Sequence, residues 1–338
     1  MQKKRFIIFL ISICLILLVV SCKKDKAKST SKIFPVEKHL KASILPFDFI
    51  IERQSCTIVD DCLIVISAKT DTLIHVFSLP ELNLIQSFGK KGRGPDELSS
   101  PSFVRNTSEL LCISDSRNPN LIQCFRIDKK SNTIMLHKEY NLKDISTWYT
   151  RNLHIINDSV LFYFEYHLPG IRLGAYHLKL EKNISIKEIE VNENHDRSFE
   201  YLNTGFLKAN SQTVAYAYLY QDKIEFMHHD FSLISVRKNE NSTVFIDENW
   251  LSNNSVIYYT AGYAGKEKMY FLNSGCSINE LKEGKKSRSI EVFDNKGTPL
   301  IKYYLDFALC EFAVDEKNNK LYGWSDDDDV ILVYDLNE

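Results

Sequence analysis

Several patterns that carry chemistry in other proteins are missing from this sequence of 338 residues. Its cysteines show no Cys-x-x-Cys spacing, so the chain has no common zinc or dithiol motif. It contains no Gly-x-Ser-x-Gly elbow and no His-Glu-x-x-His helix, which disfavours the hydrolases that use them. Basic residues number 42 and acidic residues 44, mixed along the chain, for a net charge of −2. Because the chain has no overall positive electrostatic field that would attract nucleic acid, we do not expect nucleic acid as a partner.

The N-terminus has the pattern of a bacterial export signal. Lys3, Lys4 and Arg5 precede an apolar run over residues 6–20, shorter than the roughly 20 apolar residues that a spanning helix needs. The run ends in Val19-Val20-Ser21-Cys22, which looks like a lipobox, in which the cysteine thiol is alkylated by a diacylglycerol. We therefore predict a lipoprotein signal peptide over residues 1–21 and a lipid on Cys22. An uncleaved membrane anchor is the alternative.

A polar stretch without apolar periodicity follows Cys22. We predict that residues 22–40 form a lipidated flexible tether and that residues 41–338 form the folded domain. The expected location is a membrane of the cell envelope, held through the lipid, with the outer membrane as the favoured one. No other segment is apolar enough to span a membrane.

The chain after Cys22 contains six further cysteines, in a compartment where disulfides can persist. These are Cys56, Cys62, Cys112, Cys124, Cys276 and Cys310. The close pairs Cys56/Cys62 and Cys112/Cys124 could each bridge neighbouring strands, and buried thiols are the alternative for each pair.

Short apolar and β-branched runs recur along the chain between polar clusters, whereas long helical periodicity is missing. Residues 62–66, 72–77 and 83–88 form one such unit, and five similar units follow at intervals of roughly 40 to 55 residues. This repeat predicts an all-β, six-bladed β-propeller of four-stranded blades. The last unit ends about one strand short, so we predict that residues 47–51 supply an N-terminal strand that closes the ring. A two-sheet sandwich is the rival and explains the repeat poorly.

The most distinctive loop of the chain runs over residues 87–98, between the first two units. Its glycines permit positive φ, and Pro95 fixes the backbone after them, so the loop predicts a tight, shaped turn. The sequence here resembles the TolB-like six-bladed propeller lipoproteins of Bacteroidetes, in which a Gly-x-x-Gly-x-Gly-Pro-Gly-Glu-Phe loop follows the first blade. The matching residues are Gly89, Gly92, Gly94, Pro95 and Glu97, while Asp96 and Leu98 depart from the pattern. The resemblance implies a fold and a location, not a reaction.

Three further motifs were weighed for ligand or metal binding. The glycine loop lacks the Lys-Ser/Thr of a phosphate-binding loop, so we interpret it as a structural turn, with Lys90, Lys91 or Arg93 facing an anionic ligand as the alternative. His228 and His229 would point to opposite faces of a strand and cannot easily share an ion. The acidic run at residues 326–329 lacks the ligand spacing of known calcium loops. We predict no metal site and no cofactor.

In a propeller, the loops between blades and between the second and third strands of each blade meet on one face around the central channel. Those loops are rich in aromatic and basic residues, a composition that suits a saccharide, a peptide or a partner protein of the envelope. Our candidates for ligand binding are Arg93, Arg117, Trp148, Arg151, His167, Arg172 and Tyr263. We therefore predict a non-catalytic binding module. The alternative is a propeller enzyme of the lactonase or lyase type, which would hold a metal on acidic or histidine side chains that converge in the channel.

Overall fold

We analysed a computed structural model of the chain. The residues that the structure describes are 28–30, 33–45, 53–67, 70–94, 97–107, 109–145, 150–167, 170–189, 203–239, 246–247, 250–285, 288–325 and 330–337. The signal peptide and Cys22 lie outside them, and so do Trp148 and the acidic run at 326–329.

The first three sheets of the propeller follow one another along the chain. Three short strands precede them: β1 (Lys28–Thr30), β2 (Val36–Leu40) and β3 (Ser43–Leu45). Blade 1 contains β4 (Arg53–Val59), β5 (Cys62–Ser67), β6 (Thr72–Ser78) and β7 (Leu84–Lys90). Blade 2 contains β8 (Pro101–Asn106), β9 (Leu111–Asp115), β10 (Asn118–Asp128) and β11 (Thr133–Asn141). Blade 3 contains β12 (Thr150–Ile156), β13 (Val160–His167), β14 (Gly170–His177) and β15 (Lys182–Ile189).

The remaining sheets complete the set of six. Blade 4 contains β16 (Gly205–Ala209), β17 (Val214–Tyr218), β18 (Lys223–Met227) and β19 (Leu233–Lys238). A two-stranded hairpin follows, made of β20 (Ile246–Asp247) and β21 (Trp250–Leu251). Blade 5 contains β22 (Val256–Ala264), β23 (Lys268–Ser277), β24 (Ser289–Asp294) and β25 (Pro299–Leu305), with the short helix α1 (Ile278–Lys282) between β23 and β24. Blade 6 contains β26 (Glu311–Asp315), β27 (Lys320–Trp324) and β28 (Ile331–Asp335).

The first strands of the blades form the wall of the channel. Contacts link β4 to β8, β8 to β12, β12 to β16, β16 to β22, β22 to β26 and β26 back to β4. This closed cycle is the inner ring of a six-bladed propeller, so the predicted fold class is confirmed. We call the end of the channel where these inner strands begin the upper face, and the end where they finish the lower face.

Burial explains why the second strand of each blade gave the strongest signal in the sequence. All six residues of β5 are buried, whereas seven of the eight residues of the outer strand β15 are exposed or half-buried. The second strand lies inside its sheet and packs on both faces against neighbouring blades, so it is apolar throughout. The hydrophobic clusters accordingly fill the spaces between adjacent blades.

An N-terminal strand closes the ring, as predicted, but it is not the predicted segment. Strand β3 pairs antiparallel with β28 and supplies the fourth strand of blade 6. Residues 47–51, to which we assigned this role, lie outside the described residues. Strands β1 and β2 also add to blades, in parallel to β19 and β25. Both strands fall within residues 22–40, the segment for which we predicted a tether.

The two cysteine pairs behave differently because their strands pair in different registers. Cys112 on β9 lies directly opposite Cys124 on β10, and the two form a disulfide. Cys56 and Cys62 belong to the neighbouring strands β4 and β5, but Cys56 lies opposite Val65 and Cys62 lies opposite Val59. They therefore stay buried thiols, and burial raises the pKa of Cys62 to about 11.

Candidate functional site

The glycine-rich loop is built around the carboxylate of Glu97. The backbone N–H of Gly94 donates to Glu97 Oε2 at 2.8 Å, and the Lys90 ammonium lies 3.2 Å from Oε1. These contacts hold the pKa of Glu97 below its ordinary value. A Cβ at Gly92 would stand 1.9 Å from Oε2, so a side chain there would displace the carboxylate. Gly92, Gly94 and Glu97 thus shape a turn, and the Lys90 ammonium pairs with the Glu97 carboxylate.

The rim of the upper face beside this loop is fixed by Asp115, which is buried at the end of β9. Asp115 Oδ2 accepts the backbone N–H groups of Ser99 and Ser100 at 2.9 and 3.0 Å. Its Oδ1 accepts the backbone N–H of Arg117 at 2.9 Å, and the Arg117 guanidinium donates to the carbonyl of Gly94. One carboxylate therefore ties the glycine loop to the blade 2 loop that carries Arg117.

A cleft of about 880 Å³ opens next to this rim, between blades 2 and 3. Five serine or threonine residues and three aromatic residues contribute to its wall, together with the amide of Asn152. The lining residues are Ser100, Ser102, Phe103, Ser114, Ser116, Thr150, Asn152, Leu153, Phe164 and Tyr166. Tyr166 is 52% exposed and meets Phe164 edge to face at 5.4 Å. The cleft thus offers hydroxyl groups and an aromatic platform to a ligand.

The cleft exists because the inner strands of blades 2 and 3 separate toward the upper face. Strands β8 and β12 pair in parallel at their lower ends, where Arg105 faces His154. Above this point β12 shifts register against β13 between Arg151 and His154, and Asn152 adopts a left-handed φ of 51°. Bulges of this kind bend a strand and redirect a side chain, and Asn tolerates the conformation better than most residues.

A cation and an aromatic ring cross the channel at its lower end. The Arg105 guanidinium of blade 2 lies 3.8 Å from the centre of the Tyr263 ring of blade 5. Blades 2 and 5 are opposite each other in a ring of six, so this contact spans the channel. Tyr263 is buried, and Arg105 is half-buried. The pair forms a floor beneath the cleft.

A second cation, Lys208, lies on β16, the inner strand of blade 4. Its Nζ lies 3.4 Å from Oδ1 of Asn152, the amide that lines the cleft. Burial, together with the charge of Arg105, lowers the pKa of Lys208 from 10.5 to about 7, and Glu311 opposes this effect. Glu311 Oε1 in turn accepts the Ser55 hydroxyl at 3.2 Å. Lys208 is therefore a half-buried amine that titrates near neutrality.

His154 completes a set of three basic residues on consecutive inner strands. Its ring is buried, and desolvation, Lys208 and Arg105 together hold its pKa well below the ordinary value. Among the residues that the structure describes, no group makes a hydrogen bond with its Nδ1. Arg105, His154 and Lys208 thus lie close enough together for the two cations to lower the pKa of the buried ring.

The structure places the predicted ligand-binding residues in several environments. Arg93 is exposed on the glycine loop, and Arg117 adjoins the cleft residue Ser116. Arg151 and His167 follow the cleft residues Thr150 and Tyr166 in the chain, but their side chains lie outside the described part, as does Trp148.

Two of the candidates are not loop residues, contrary to the expectation. Arg172 lies on β14, where Glu165 at 3.1 Å and Glu188 at 2.9 Å on the flanking strands neutralise its charge. Tyr263 lies on the inner strand β22 and faces Arg105. Their environments favour a structural role for Arg172 and a channel position for Tyr263.

The described residues contain no group of three or more His, Cys, Asp or Glu side chains that could hold a metal ion. His229 Nε2 is 3.0 Å from the carbonyl of Asn210, and Asp230 accepts from Ser232, so this motif stabilises a turn. Asp326 to Asp329 lie outside the described residues.

Sequence reasoning missed Arg105, Asn152, His154 and Lys208. A weak signal was available, because Arg105, His154 and Lys208 each fall near the end of an inner strand and recur about one blade apart. None of them stands in a recognisable motif, and the inner strands themselves are less apolar than the second strands.

No helix within the described residues is long and apolar enough to cross a membrane.

Comparisons with known proteins agree with the fold. The model of the TolB-like 6-blade propeller-like family matches residues 38–317. One match is the crystal structure of a Bacteroides fragilis protein described as exported, whose sequence is 14% identical. The alignment covers 90% of this chain and 99% of that protein's chain, with a TM-score of 0.57. Chaetomium thermophilum Raptor is 10% identical over 86% of this chain and 28% of its own, with a TM-score of 0.47. No curated protein matches the sequence.

Proposed function

Because this chain belongs to the TolB-like six-bladed propeller family, we propose that it is an exported, membrane-anchored envelope module that binds a ligand without catalysis. The observation that carries the proposal is the cleft between blades 2 and 3. Its volume of about 880 Å³ lies within the range of small-molecule sites.

The chemistry of the cleft favours a saccharide as the ligand. Ser102, Ser114 and Thr150 can each donate and accept a hydrogen bond, which suits a polyhydroxylated molecule. Tyr166 presents an exposed ring on which the apolar face of a sugar can pack. A peptide of the envelope is the other ligand class that such a wall accepts.

Two features support the envelope location. The segment before Cys22 has the order of a lipoprotein signal, with a basic start, an apolar run and a small residue before the cysteine. The Cys112–Cys124 disulfide belongs to a compartment that is more oxidising than the cytosol. Mass spectrometry of the purified chain tests the anchor: we expect a mature N-terminus at Cys22 carrying acyl groups. A chain that retains residues 1–21, or an unmodified Cys22, would overturn this part.

Binding is tested by titrating the purified full chain with saccharides of the envelope and with short peptides in a calorimeter. Tyr166→Ala removes the aromatic platform and should weaken saccharide binding at least about tenfold, since stacking contacts of this kind contribute about 1–3 kcal/mol. Met135→Ala is the matched control, because Met135 is 53% exposed on the outer strand β11 of blade 2. If no saccharide or peptide binds, or if both variants lose affinity equally, the cleft is not the binding site.

A further inference from the structure

We propose that the channel floor beside the cleft is an oxyanion site, in which Lys208 and Arg105 hold a carboxylate or phosphate-type group of an acidic ligand. The assignment of that group to a ligand of the cleft rests on the proposed function. The anion site itself does not, because it stands on the arrangement of the inner strands.

The first support is the unbalanced charge of this sector. Neither Lys208 nor Arg105 has an ion-pair partner among the described residues. The nearest acidic influence on Lys208 comes from Glu311 of β26, and its effect is smaller than that of Arg105. A desolvated cation without a partner costs free energy, and an anion between the two cations would remove that cost.

The second support is the unsatisfied nitrogen of His154. The residue is 1% exposed, yet Nδ1 makes no hydrogen bond among the described residues. Buried polar atoms are normally paired, and an unpaired one beside two cations is an observation that calls for a ligand. The backbone of Leu207 and Ala209 lies against the ring and raises its pKa, whereas burial and the two cations lower it. A bound anion would oppose the effect of the two cations, while the effect of burial on the ring would remain.

The third support is access. Lys208 Nζ reaches to 3.4 Å from Asn152 Oδ1, and Asn152 lines the cleft that opens on the upper face. The contact of Arg105 with Tyr263 crosses the channel below. Lys208 does not line the cleft itself, but through Asn152 it is the basic group that contacts the cleft wall, so an acidic group bound there approaches it first.

The arrangement couples anion binding to proton uptake. Above pH 7 the amine of Lys208 is mostly neutral in the folded protein. An anion favours the ammonium, so binding takes up as much as one proton from solvent. If only the ammonium form binds, the affinity falls about tenfold for each pH unit above 7. The other charged groups around this sector are Arg105, His154 and Glu311, while Asp315 and Glu316 act on Tyr263.

The experiment titrates the purified full chain with sodium sulfate and, separately, with sodium acetate, at constant ionic strength set by chloride. Calorimetry at pH 6.5, 7.5 and 8.5, in two buffers of different ionisation enthalpy, yields both the affinity and the number of protons taken up. We expect one site, an affinity about tenfold weaker at pH 8.5 than at pH 7.5, and uptake of up to one proton. Binding of sulfate points to a phosphate-type or sulfate-type group, and binding of acetate points to a carboxylate.

Variants separate the site from general salt effects. Lys208→Met should lower the affinity at least tenfold and abolish the proton uptake, and Arg105→Gln should lower the affinity while the uptake persists. Lys266→Met is the control, because Lys266 is 86% exposed in the turn after β22. Circular dichroism verifies that each variant is folded, and the use of two separate site variants keeps the test valid if one of them misfolds.

Either of two results would overturn the proposal: neither anion binds at pH 6.5, or Lys208→Met binds as tightly as the wild type. Failure here is distinct from failure of the proposed function. Neutral saccharides that bind while both anions do not would refute the oxyanion site alone. Anions that bind through Lys208, in a protein that binds no saccharide or peptide, would refute the cleft function alone.

Discussion

Replacing Lys208 with methionine should make the ligand-free protein more stable, although most substitutions of half-buried residues are destabilising. Methionine fills a similar volume and removes a cation that lacks an ion-pair partner among the described residues. A tenfold change in a protonation equilibrium corresponds to about 1.4 kcal/mol. The fall in the pKa of Lys208 from 10.5 to about 7 thus sets an upper bound of about 5 kcal/mol on the cost of the charge. Solvent in the channel reduces the expected gain to roughly 1–3 kcal/mol.

The sign of the pH dependence follows from which state binds the proton. Between pH 7 and 10.5 the unfolded chain holds the Lys208 proton and the folded chain releases it, so stability rises with pH in this window. Below pH 7 the ammonium is charged in both states, and its cost to the folded state is fully present. The gain from Lys208→Met is therefore larger at pH 6.0 than at pH 9.5.

Urea denaturation of the wild type and of Lys208→Met at these two pH values measures the effect, in chloride buffers free of sulfate, phosphate and carboxylates. Lys266→Met, at an exposed position, should stay within about 0.5 kcal/mol of the wild type at both pH values. A Lys208→Met variant that is less stable than the wild type at pH 6.0 would refute the reasoning. An equal gain at both pH values would do the same, because it would separate the effect from the titration of the amine.

Three further predictions concern the scaffold. Cys112 and Cys124 are 12 positions apart in the sequence, and replacing both with alanine opens the covalent loop that their disulfide closes. We expect the free energy of unfolding in urea to fall by about 3 kcal/mol. A fall below about 1 kcal/mol would show that the disulfide contributes little. Gly92→Ala should cost about 1–3 kcal/mol because its Cβ would meet the Glu97 carboxylate, and the cost should shrink in a Glu97→Ala background; equal costs in both backgrounds would rule out that clash. Asn210→Ala should lower the free energy of unfolding by about 2–4 kcal/mol in thermal unfolding. The buried amide of Asn210 donates to the Gly265 carbonyl at 2.8 Å and accepts two backbone N–H groups. A loss below about 1 kcal/mol would contradict a stabilising role for these hydrogen bonds.

The blade pattern was readable from the sequence because the second strands are continuous apolar runs. Strand β5 reads Cys-Leu-Ile-Val-Ile-Ser and is buried at every position. The inner strands are harder to recognise. Strand β12 is interrupted by the left-handed Asn152, and β16 contains a glycine and a lysine among only five residues. The strand that closes the ring, β3, has only three residues and follows β2 closely, so its pairing partner could not be assigned from composition.

The candidate site was predicted less well than the fold, for a physical reason. Sequence reasoning chose exposed loops, and Arg117 does stand at the rim of the cleft. The groups with unusual electrostatics, Lys208 and His154, lie instead on inner strands of different blades. Their proximity arises from the packing of consecutive blades, because contacts between β12 and β16 bring together residues that are far apart in the sequence. The cysteine pairs make the same point. The register of each hairpin places Cys112 and Cys124 directly opposite each other but does not do so for Cys56 and Cys62.

The most direct test of this account is the pKa of Lys208, measured by NMR on the full chain with ¹³C-labelled lysine side chains. The resonance is assigned by its loss in Lys208→Met. In chloride buffer we expect a pKa of about 7, and addition of sulfate or acetate should raise it. A Lys208 that titrates near 10.5 in chloride, and does not respond to either anion, would contradict the claim that the channel presents an unbalanced cation to the cleft.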